Sequence, residues 1–217
     1  MRKTILFDLD GTLTDPGVGI TNAVMYALDR FGIAVEDRRT LYKFIGPPLL
    51  DSFRTFYGFS DAQAQAALAA YREYFGTRGL FENTVYPAVP HMLETLRGAG
   101  YTLCVATSKP EEYAGQILAH FGLDGYFSLL AGNTLKEERP TKGAVIAYAL
   151  KTLCLPPEAA VMVGDRAHDV IGAAENGVAS VGVLYGYGSR EELETAGAGR
   201  IAETVEALER LLMEGCR

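Results

Sequence analysis

Residues 5–15, ILFDLDGTLTD, form an apolar run that ends abruptly in carboxylates and a glycine. A short, continuous apolar run is typical of a strand buried on both faces, as in a parallel sheet covered by helices. Because side chains alternate along a strand, Asp8 and Asp10 start on the same side if the extended geometry continues that far. Gly11 then allows a sharp turn of the backbone. We therefore expect the chemistry of this protein at the end of this strand.

Two neighbouring carboxylates at the end of a buried strand repel each other, so Asp8 and Asp10 require a proton or a cation beside them. A hard cation with oxygen ligands fits best, which indicates Mg²⁺. Asp and Gly are also common turn formers, and a lone Asp-x-Asp-Gly after a strand is more often a turn than a catalytic site. The motif therefore needs partners elsewhere in the chain.

The length and composition are those of a globular protein. A chain of 217 residues suits one sizeable domain, or a core domain that carries a smaller insertion. Hydrophobic residues make up 48% and charged residues 22% of the chain, which gives no sign of disorder. The net charge of −7 disfavours a nucleic-acid polymer as partner, although a mononucleotide in a local basic pocket remains compatible with it.

The cysteines and the hydropathy pattern indicate the compartment. Cys104, Cys154 and Cys216 are far apart, which predicts reduced structural thiols without disulfides or a zinc site. The apolar stretch near the start of the chain meets Asp8 too soon for a secretory signal, and no run is long enough to span a bilayer. We therefore predict a cytoplasmic protein that does not interact with membranes.

From Pro16 to about Arg78 nothing in the sequence indicates a strand. Apolar residues recur at helical spacing in the segments 19–31, 37–45 and 49–57, and in a fourth that starts at Ser60 or Asp61 and runs towards Phe75. The many aromatic side chains of this block most simply form a small core of its own. We predict a separate all-helical subdomain over residues 16–82, inserted after the first strand.

Beyond Pro87 the pattern changes to alternating helices and strands. Together with the first strand, 4–7, the predicted strands are 102–106, 127–130, 159–163 and 179–183. About five buried strands joined by helices are typical of an α/β fold with a doubly wound parallel sheet, a Rossmann-like core. We predict that residues 1–15 and 83–217 form this core.

Polar residues follow the predicted strands at the end where the ligand site of such a sheet lies. These residues are Asp8 and Asp10 after the first strand, Thr107-Ser108-Lys109-Pro110 after the strand 102–106, and Gly164-Asp165 with Asp169 after the strand 159–163. Acids, hydroxyls and a lysine are therefore expected on one rim of the sheet.

Four motifs in this order resemble those of the haloacid dehalogenase-like superfamily of phosphohydrolases. They are Asp8-x-Asp10-Gly11-Thr12-Leu13, then Thr107-Ser108-Lys109-Pro110, then a lysine in Glu138-Arg139-Pro140-Thr141-Lys142, and then Gly164-Asp165-x-x-x-Asp169. Within the superfamily the sequence is similar to the phosphoglycolate phosphatase and 5′-nucleotidase branch. The helical cap of that branch is inserted between the first and second motifs, which is where the helical block lies here.

The resemblance implies a magnesium-dependent phosphatase that hydrolyses a small phosphate monoester through an aspartyl-phosphate. It makes Asp8 the nucleophile, and it makes Asp10 the acid that protonates the leaving oxygen and later the base that activates water. It also implies that Mg²⁺ is held by Asp8, the main-chain carbonyl of Asp10 and Asp165, with Asp169 as a direct or indirect ligand.

The resemblance further implies a phosphate-binding set. Its members are Gly11, Thr107, Ser108, Lys109 and Lys142, of which Thr107 and Lys142 also count as catalytic. Many relatives carry Lys-Pro where this chain has Arg139-Pro140, so Arg139 is the reserve candidate for the cation. We favour Lys142 because a compact ammonium at the start of a helix suits a tight pocket; the plain alternative is a solvated lysine in a first helical turn.

Other functions remain open at this point. Asp10 favours a phosphate ester as substrate, because dehalogenases and phosphonatases of the superfamily typically lack an acid there. A phosphosugar mutase stays possible, since mutases carry both acids. A phosphoacceptor signalling module also combines acids, a hydroxyl and a lysine, but the long helical insertion and Asp10 argue against it. The expected partner is a small phosphorylated metabolite, and the expected state is a monomer or small homo-oligomer.

Overall fold

The structure is a computed structural model, and it is described here for residues 4–215. The chain divides into two compact units: one comprises the chain up to Thr14 together with the chain from Val85 onward, and the other comprises Asp15–Thr84. The predicted insertion, residues 16–82, lies inside the second unit. Cys104 and Cys154 are free thiols, whereas the prediction for Cys216 falls outside the described residues.

Within residues 4–215 the strands are β1 (Thr4–Phe7), β2 (Thr14–Asp15), β3 (Thr84–Val85), β4 (Thr102–Pro110), β5 (Leu129–Asn133), β6 (Ala160–Gly164), β7 (Ala179–Val183) and β8 (Arg200–Ala202). In the same range the α-helices are α1 (Gly17–Asp29), α2 (Leu49–Tyr57), α3 (Asp61–Tyr74), α4 (Val89–Gly98), α5 (Glu111–His120), α6 (Lys142–Thr152), α7 (Ala167–Glu175), α8 (Arg190–Thr195) and α9 (Val205–Met213). None of these helices combines the length and hydropathy needed to cross a bilayer.

The larger unit is built on a six-stranded parallel sheet with the order β5-β4-β1-β6-β7-β8. This arrangement confirms the predicted α/β class with a doubly wound parallel sheet. Strand β1 lies in the interior of the sheet, where Leu6 is opposite both Cys104 and Met162. All four residues of β1 are buried, which explains why its sequence is apolar without alternation. The end of β1 is thereby fixed from both sides.

Strand β4 is longer than the sequence predicts. The apolar run predicts a strand that ends at Ala106. The strand instead continues to Pro110, because Pro110 still pairs with Asn133 of β5 after an irregularity in register. Thr107, Ser108 and Lys109 are therefore held by the strand itself. A side chain that projects from a paired strand has less conformational freedom than one in a loop.

Strand β8 and helix α8 of the larger unit were not predicted. Strand β8 has three residues at the edge of the sheet and begins with an exposed arginine, so it carries no apolar run. Helix α8 has six residues, too few for helical periodicity to be recognised. Strand β5 was predicted at 127–130, two to three residues too early.

The smaller unit contains helices α1, α2 and α3 and has its own aromatic core. The ring of Phe44 meets that of Phe53 edge-on at 5.2 Å, and Phe53 stacks on Phe59 at 5.9 Å. The segment predicted as a helix at 37–45 is instead a tighter 3₁₀ turn, Arg38–Phe44. These contacts agree with the interpretation that the aromatic residues of this block pack against one another.

The first turn of α1 is in contact with residues 79–82, near the other end of the smaller unit. The Gly19 N–H donates to the Glu82 carbonyl at 2.9 Å, and a Cβ at Gly19 would lie 2.1 Å from the Gly79 carbonyl oxygen. The carboxylate of Glu82 also accepts hydrogen bonds from Asn22 at 2.9 Å and from the Tyr74 hydroxyl at 3.0 Å. The two ends of this unit therefore meet through backbone contact that requires glycine.

Candidate active site

Three carboxylates meet at the carboxyl ends of β1 and β6. Oxygens of Asp8, Asp165 and Asp169 lie within 4.8 Å of one another, and all three residues are buried. Asp8 follows β1, and its N–H donates to the Val163 carbonyl of β6 at 2.8 Å. Asp165 follows β6 directly, and Asp169 lies in the first turn of α7. The sheet and one helix start thus bring together acids that are far apart in sequence.

Glycine makes this close approach possible. Gly11 has φ +81°, and a Cβ at that position would lie 2.2 Å from Oδ2 of Asp165. A Cβ at Gly164 would lie 2.2 Å from Cγ of Asp169. Any side chain at either position would occupy the space of a carboxylate, so the observed positions of Asp165 and Asp169 require glycine at both positions.

The amine of Lys142 lies between two of the acids. Its Nζ is 2.9 Å from Oδ1 of Asp8 and 2.8 Å from Oδ1 of Asp169, and it donates to the Ala106 carbonyl at 3.1 Å. The side chain is 2% exposed, which excludes a solvated lysine. Burial alone lowers the pKa of Lys142, but Asp169 and Asp8 outweigh it and hold this pKa above its usual range. Lys142 is therefore a cation at neutral pH.

Arg139, the reserve candidate, is engaged elsewhere. Its guanidinium donates to the Gly132 carbonyl at 2.6 Å and to Glu111 at 2.7 Å, and it lies over the ring of Tyr148. These partners belong to β5, α5 and α6. Arg139 thus fixes the loop that precedes Lys142, while Lys142 itself reaches the carboxylates.

Asp10 is buried and paired with a second lysine. Nζ of Lys109 lies 2.8 Å from Oδ2 of Asp10. Burial raises the pKa of Asp10, against the opposing effect of Lys109, and the nearby Asp8 raises it further. A carboxyl group with a raised pKa can hold a proton and give it to a leaving oxygen.

The two hydroxyl residues lie on the last part of β4. Thr107 is buried, and its Oγ1 accepts a hydrogen bond from the Lys109 N–H at 3.3 Å. Ser108 is half-buried. The structure thus places Thr107 and Lys109 two residues apart on one strand, with the lysine reaching Asp10.

The carboxylate cluster fits a hard divalent cation. Within residues 4–215, Oδ1 of Asp165 is buried without a hydrogen-bond partner. Burial raises the pKa of Asp165 well above its usual range, and Asp169 and Asp8 raise it further. Burial likewise raises the pKa of Asp169 to about 6, although Lys142 opposes this effect. Mg²⁺ bound by oxygen ligands relieves such crowding of negative charge. The side chain of Asp10 lies outside this group of three. The main-chain carbonyl of Asp10, which the resemblance implies as a ligand, stays a prediction.

The segment that follows β7 also contacts the site, although its residues were not among the predicted site residues. The Tyr187 N–H donates to Oδ2 of Asp165 at 2.8 Å, and the Tyr185 hydroxyl donates to the Thr12 carbonyl at 3.1 Å. Farther along, Glu192 accepts hydrogen bonds from the Ala167 N–H at 2.8 Å and from Arg166 at 2.9 Å. The tyrosines lie at the carboxyl end of a fourth interior strand, so reading every strand end would have found them.

The site and the fold agree with one known family. The model of the haloacid dehalogenase-like hydrolase family matches residues 5–183, a range that includes Asp8, Asp10, Lys109, Lys142, Asp165 and Asp169. The chain belongs to this family. The predicted resemblance is thereby confirmed.

Two curated proteins and a solved structure are similar to most of this chain. A 5′-nucleotidase of Pseudomonas aeruginosa is 47% identical over 96% of this chain and 94% of its own. The tyrosine-protein kinase PtkA of Mycobacterium tuberculosis is 40% identical over 88% of this chain and 65% of its own. The crystal structure of a predicted phosphatase from Clostridium acetobutylicum has a TM-score of 0.97 at 46% identity, with 99% of each chain covered. The chain is a phosphoric monoester hydrolase of the haloacid dehalogenase-like family.

The position of Lys142 predicts a large effect on stability. In metal-free protein, Lys142→Met leaves Asp8 and Asp169 as neighbouring buried charges without their cation. We expect the free energy of unfolding, measured by urea denaturation in EDTA, to fall by about 3–5 kcal/mol. Lys151→Met is the control, because Lys151 is an exposed lysine on the same helix. Equal losses for the two variants would contradict the ionic role of Lys142.

Proposed function

We propose that the protein hydrolyses a small phosphate monoester with the help of Mg²⁺ and through an aspartyl-phosphate on Asp8. One observation carries the proposal: the carboxylate of Asp8 lies within 4.8 Å of two further buried acids and 2.9 Å from the Lys142 ammonium. A nucleophilic carboxylate must approach an anionic phosphate, and positive charge is needed at that point.

In the first step an oxygen of Asp8 attacks phosphorus, and the bond between phosphorus and the ester oxygen breaks. The Leu9 N–H donates to Oδ1 of Asp8 at 2.7 Å, and Lys142 approaches the same oxygen, so the orientation of the carboxylate is fixed before substrate arrives. The leaving oxygen takes the proton of Asp10, whose raised pKa supports this role.

In the second step water attacks phosphorus, Asp10 takes a proton from that water, and inorganic phosphate leaves while Asp8 is regenerated. Lys109 at 2.8 Å stabilises the ionised form of Asp10 between the two proton transfers. We assign the binding of the phosphoryl oxygens to Thr107, Ser108, Lys109 and Lys142 with the backbone at Gly11. Mg²⁺ bound by Asp8, Asp165 and the Asp10 carbonyl, with Asp169 beside it, would neutralise charge on the phosphoryl group.

We propose a small phosphorylated metabolite as substrate, of the 5′-nucleotidase or phosphoglycolate phosphatase type, and a cytoplasmic location. The 47% identity to a protein named 5′-nucleotidase supports a nucleoside monophosphate as the first compound to test. Water rather than a second hydroxyl group is proposed as acceptor, which distinguishes the protein from a mutase. A panel of nucleoside monophosphates, phosphoglycolate and sugar phosphates, assayed for free phosphate and for phosphate transferred to an added acceptor, decides both points.

The nucleophile is tested with Asp8→Asn. An amide does not attack phosphorus, so we expect phosphate release from 4-nitrophenyl phosphate and from the best panel substrate to fall to background in MgCl₂. Asp124→Asn, which changes an exposed aspartate of the same unit, serves as the matched control and should retain wild-type activity. An active Asp8→Asn protein would overturn the assignment.

The acid is tested by the dependence of Asp10→Asn on the leaving group. Nitrophenolate leaves without a proton, whereas an alkoxide requires one, so the variant should lose about 10²–10⁴-fold in kcat/KM on an alkyl phosphate. We compare kcat/KM because it reports the transfer to Asp8 and not the later attack of water, in which Asp10 acts as the base for every substrate. The loss on 4-nitrophenyl phosphate should be much smaller. An equal loss on both substrates would indicate that Asp10 acts by charge or structure and not as an acid.

The metal site is tested by the stability of Asp165→Asn. The raised pKa of Asp165 means that its charge destabilises the metal-free fold, so the variant should be at least as stable as wild type in EDTA. Ligand binding stabilises the folded state by about 2.7 kcal/mol at 100 times Kd, and we expect Asp165→Asn to lose most of this gain in MgCl₂. Urea denaturation with and without Mg²⁺ measures both effects, again with Asp124→Asn as control. A variant that gains as much from Mg²⁺ as wild type would exclude Asp165 as a ligand.

A further inference from the structure

Residues 184–188, LYGYG, follow β7 and contact both loops that carry the carboxylates. We call them the brace segment. One of these loops, residues 8–12, contains the nucleophile, and the other, residues 164–169, contains Asp165 and Asp169. The two loops are more than 150 residues apart in sequence, so their spacing depends on tertiary contacts.

The brace segment holds Asp165 by its backbone. The Tyr187 N–H donates to Oδ2 of Asp165 at 2.8 Å. A Cβ at Gly188 would lie 1.8 Å from the main-chain oxygen of Asp165, so the two backbones are in direct contact. This hydrogen bond occupies Oδ2 of Asp165, whereas Oδ1 is buried without a partner in the described part of the chain. Asp165 is at the same time one of the three clustered carboxylates.

The same segment also holds the nucleophile loop. The Tyr185 hydroxyl donates to the Thr12 carbonyl at 3.1 Å, and its ring meets that of Tyr86 edge-on at 5.1 Å. A Cβ at Gly186 would lie 2.3 Å from the Gly11 carbonyl oxygen and 2.5 Å from Cβ of Asp165. Gly186 therefore touches both loops at once, and Tyr185 ties the segment to one of them.

We propose that the brace segment sets the distance between Asp165 and the nucleophile loop, and that Tyr185 is a positioning residue for Mg²⁺ binding. The inference rests on the proposed function in taking Mg²⁺ as the bound ion. Groups that orient metal ligands without touching the metal affect affinity strongly, because a ligand held in place loses less freedom on binding. Tyr185 touches no reacting atom and acts through Thr12 and the segment that carries Tyr187.

Tyr185→Phe tests the brace with a matched control. The variant keeps the ring against Tyr86 and removes only the hydrogen bond to Thr12. Tyr101→Phe removes a hydrogen bond of the same kind, from a half-buried phenol to the Leu212 carbonyl at 2.8 Å, away from the carboxylates. We expect Tyr185→Phe to raise the Mg²⁺ Kd, measured by calorimetry, about tenfold. Tyr101→Phe should leave this Kd at the wild-type value.

A second pair of variants tests the contact at Gly186. Gly186→Ala places a methyl group where the Gly11 carbonyl and Asp165 now meet, so it should weaken Mg²⁺ binding more than Tyr185→Phe does. Gly98→Ala is the control, since a Cβ there meets no atom within 4 Å. The Mg²⁺-induced shift of the melting temperature reports the same affinity and remains measurable in a variant of reduced stability.

The outcomes separate the brace from the proposed function. If Tyr185→Phe and Tyr101→Phe have equal Mg²⁺ affinities, the brace is overturned, whatever their melting temperatures. If the Kd rises only in Tyr185→Phe and the Mg²⁺ concentration for half-maximal activity rises with it, the brace is supported. A wild-type protein that binds Mg²⁺ but hydrolyses no phosphate ester would refute the proposed function, and calorimetry on the variants would still decide the brace.

Discussion

The main constraint on the structure is the burial of three carboxylates whose oxygens lie within 4.8 Å of one another. Asp8, Asp165 and Asp169 repel each other in surroundings that solvate them poorly, and burial is the largest cause of the raised pKa of the last two. The ammonium of Lys142 offsets this charge for two of them. The cluster is therefore unfavourable as a structural element and becomes useful once a cation and an anionic phosphate bind.

The sheet of the larger unit holds the three carboxylates close together in spite of their mutual repulsion. The interior strands β1 and β6 fix two of the acids, and the irregular end of β4 carries Thr107 and Lys109. Backbone contact at Gly11 and Gly164 allows the distances, because a side chain at either position would displace a carboxylate. A rigid sheet is suited to this task, since interactions prepared before substrate binds need not be organised during the reaction.

Much of the site could be predicted from the sequence because catalytic side chains of a parallel sheet follow its strands. An apolar run followed by acids identifies both the strand and the residues at its end, and β1 with Asp8 and Asp10 is the clearest case. For this reason the sequence was sufficient to predict the fold class and the family, both of which were confirmed. Edge strand β8 was not predicted, because it is defined by its hydrogen bonds to β7 and has no apolar periodicity in its sequence.

The sequence by itself determined the α/β class, the family and the set of acids, since these follow from local patterns and their order. Only the tertiary structure decided that Lys142 reaches the carboxylates while Arg139 is held by Glu111 and Gly132. It alone brought residues 184–188 against Asp165. Both outcomes depend on which groups meet across the sheet, and the physical reason is that distances between segments remote in sequence are set by packing and hydrogen bonding, which no local pattern records.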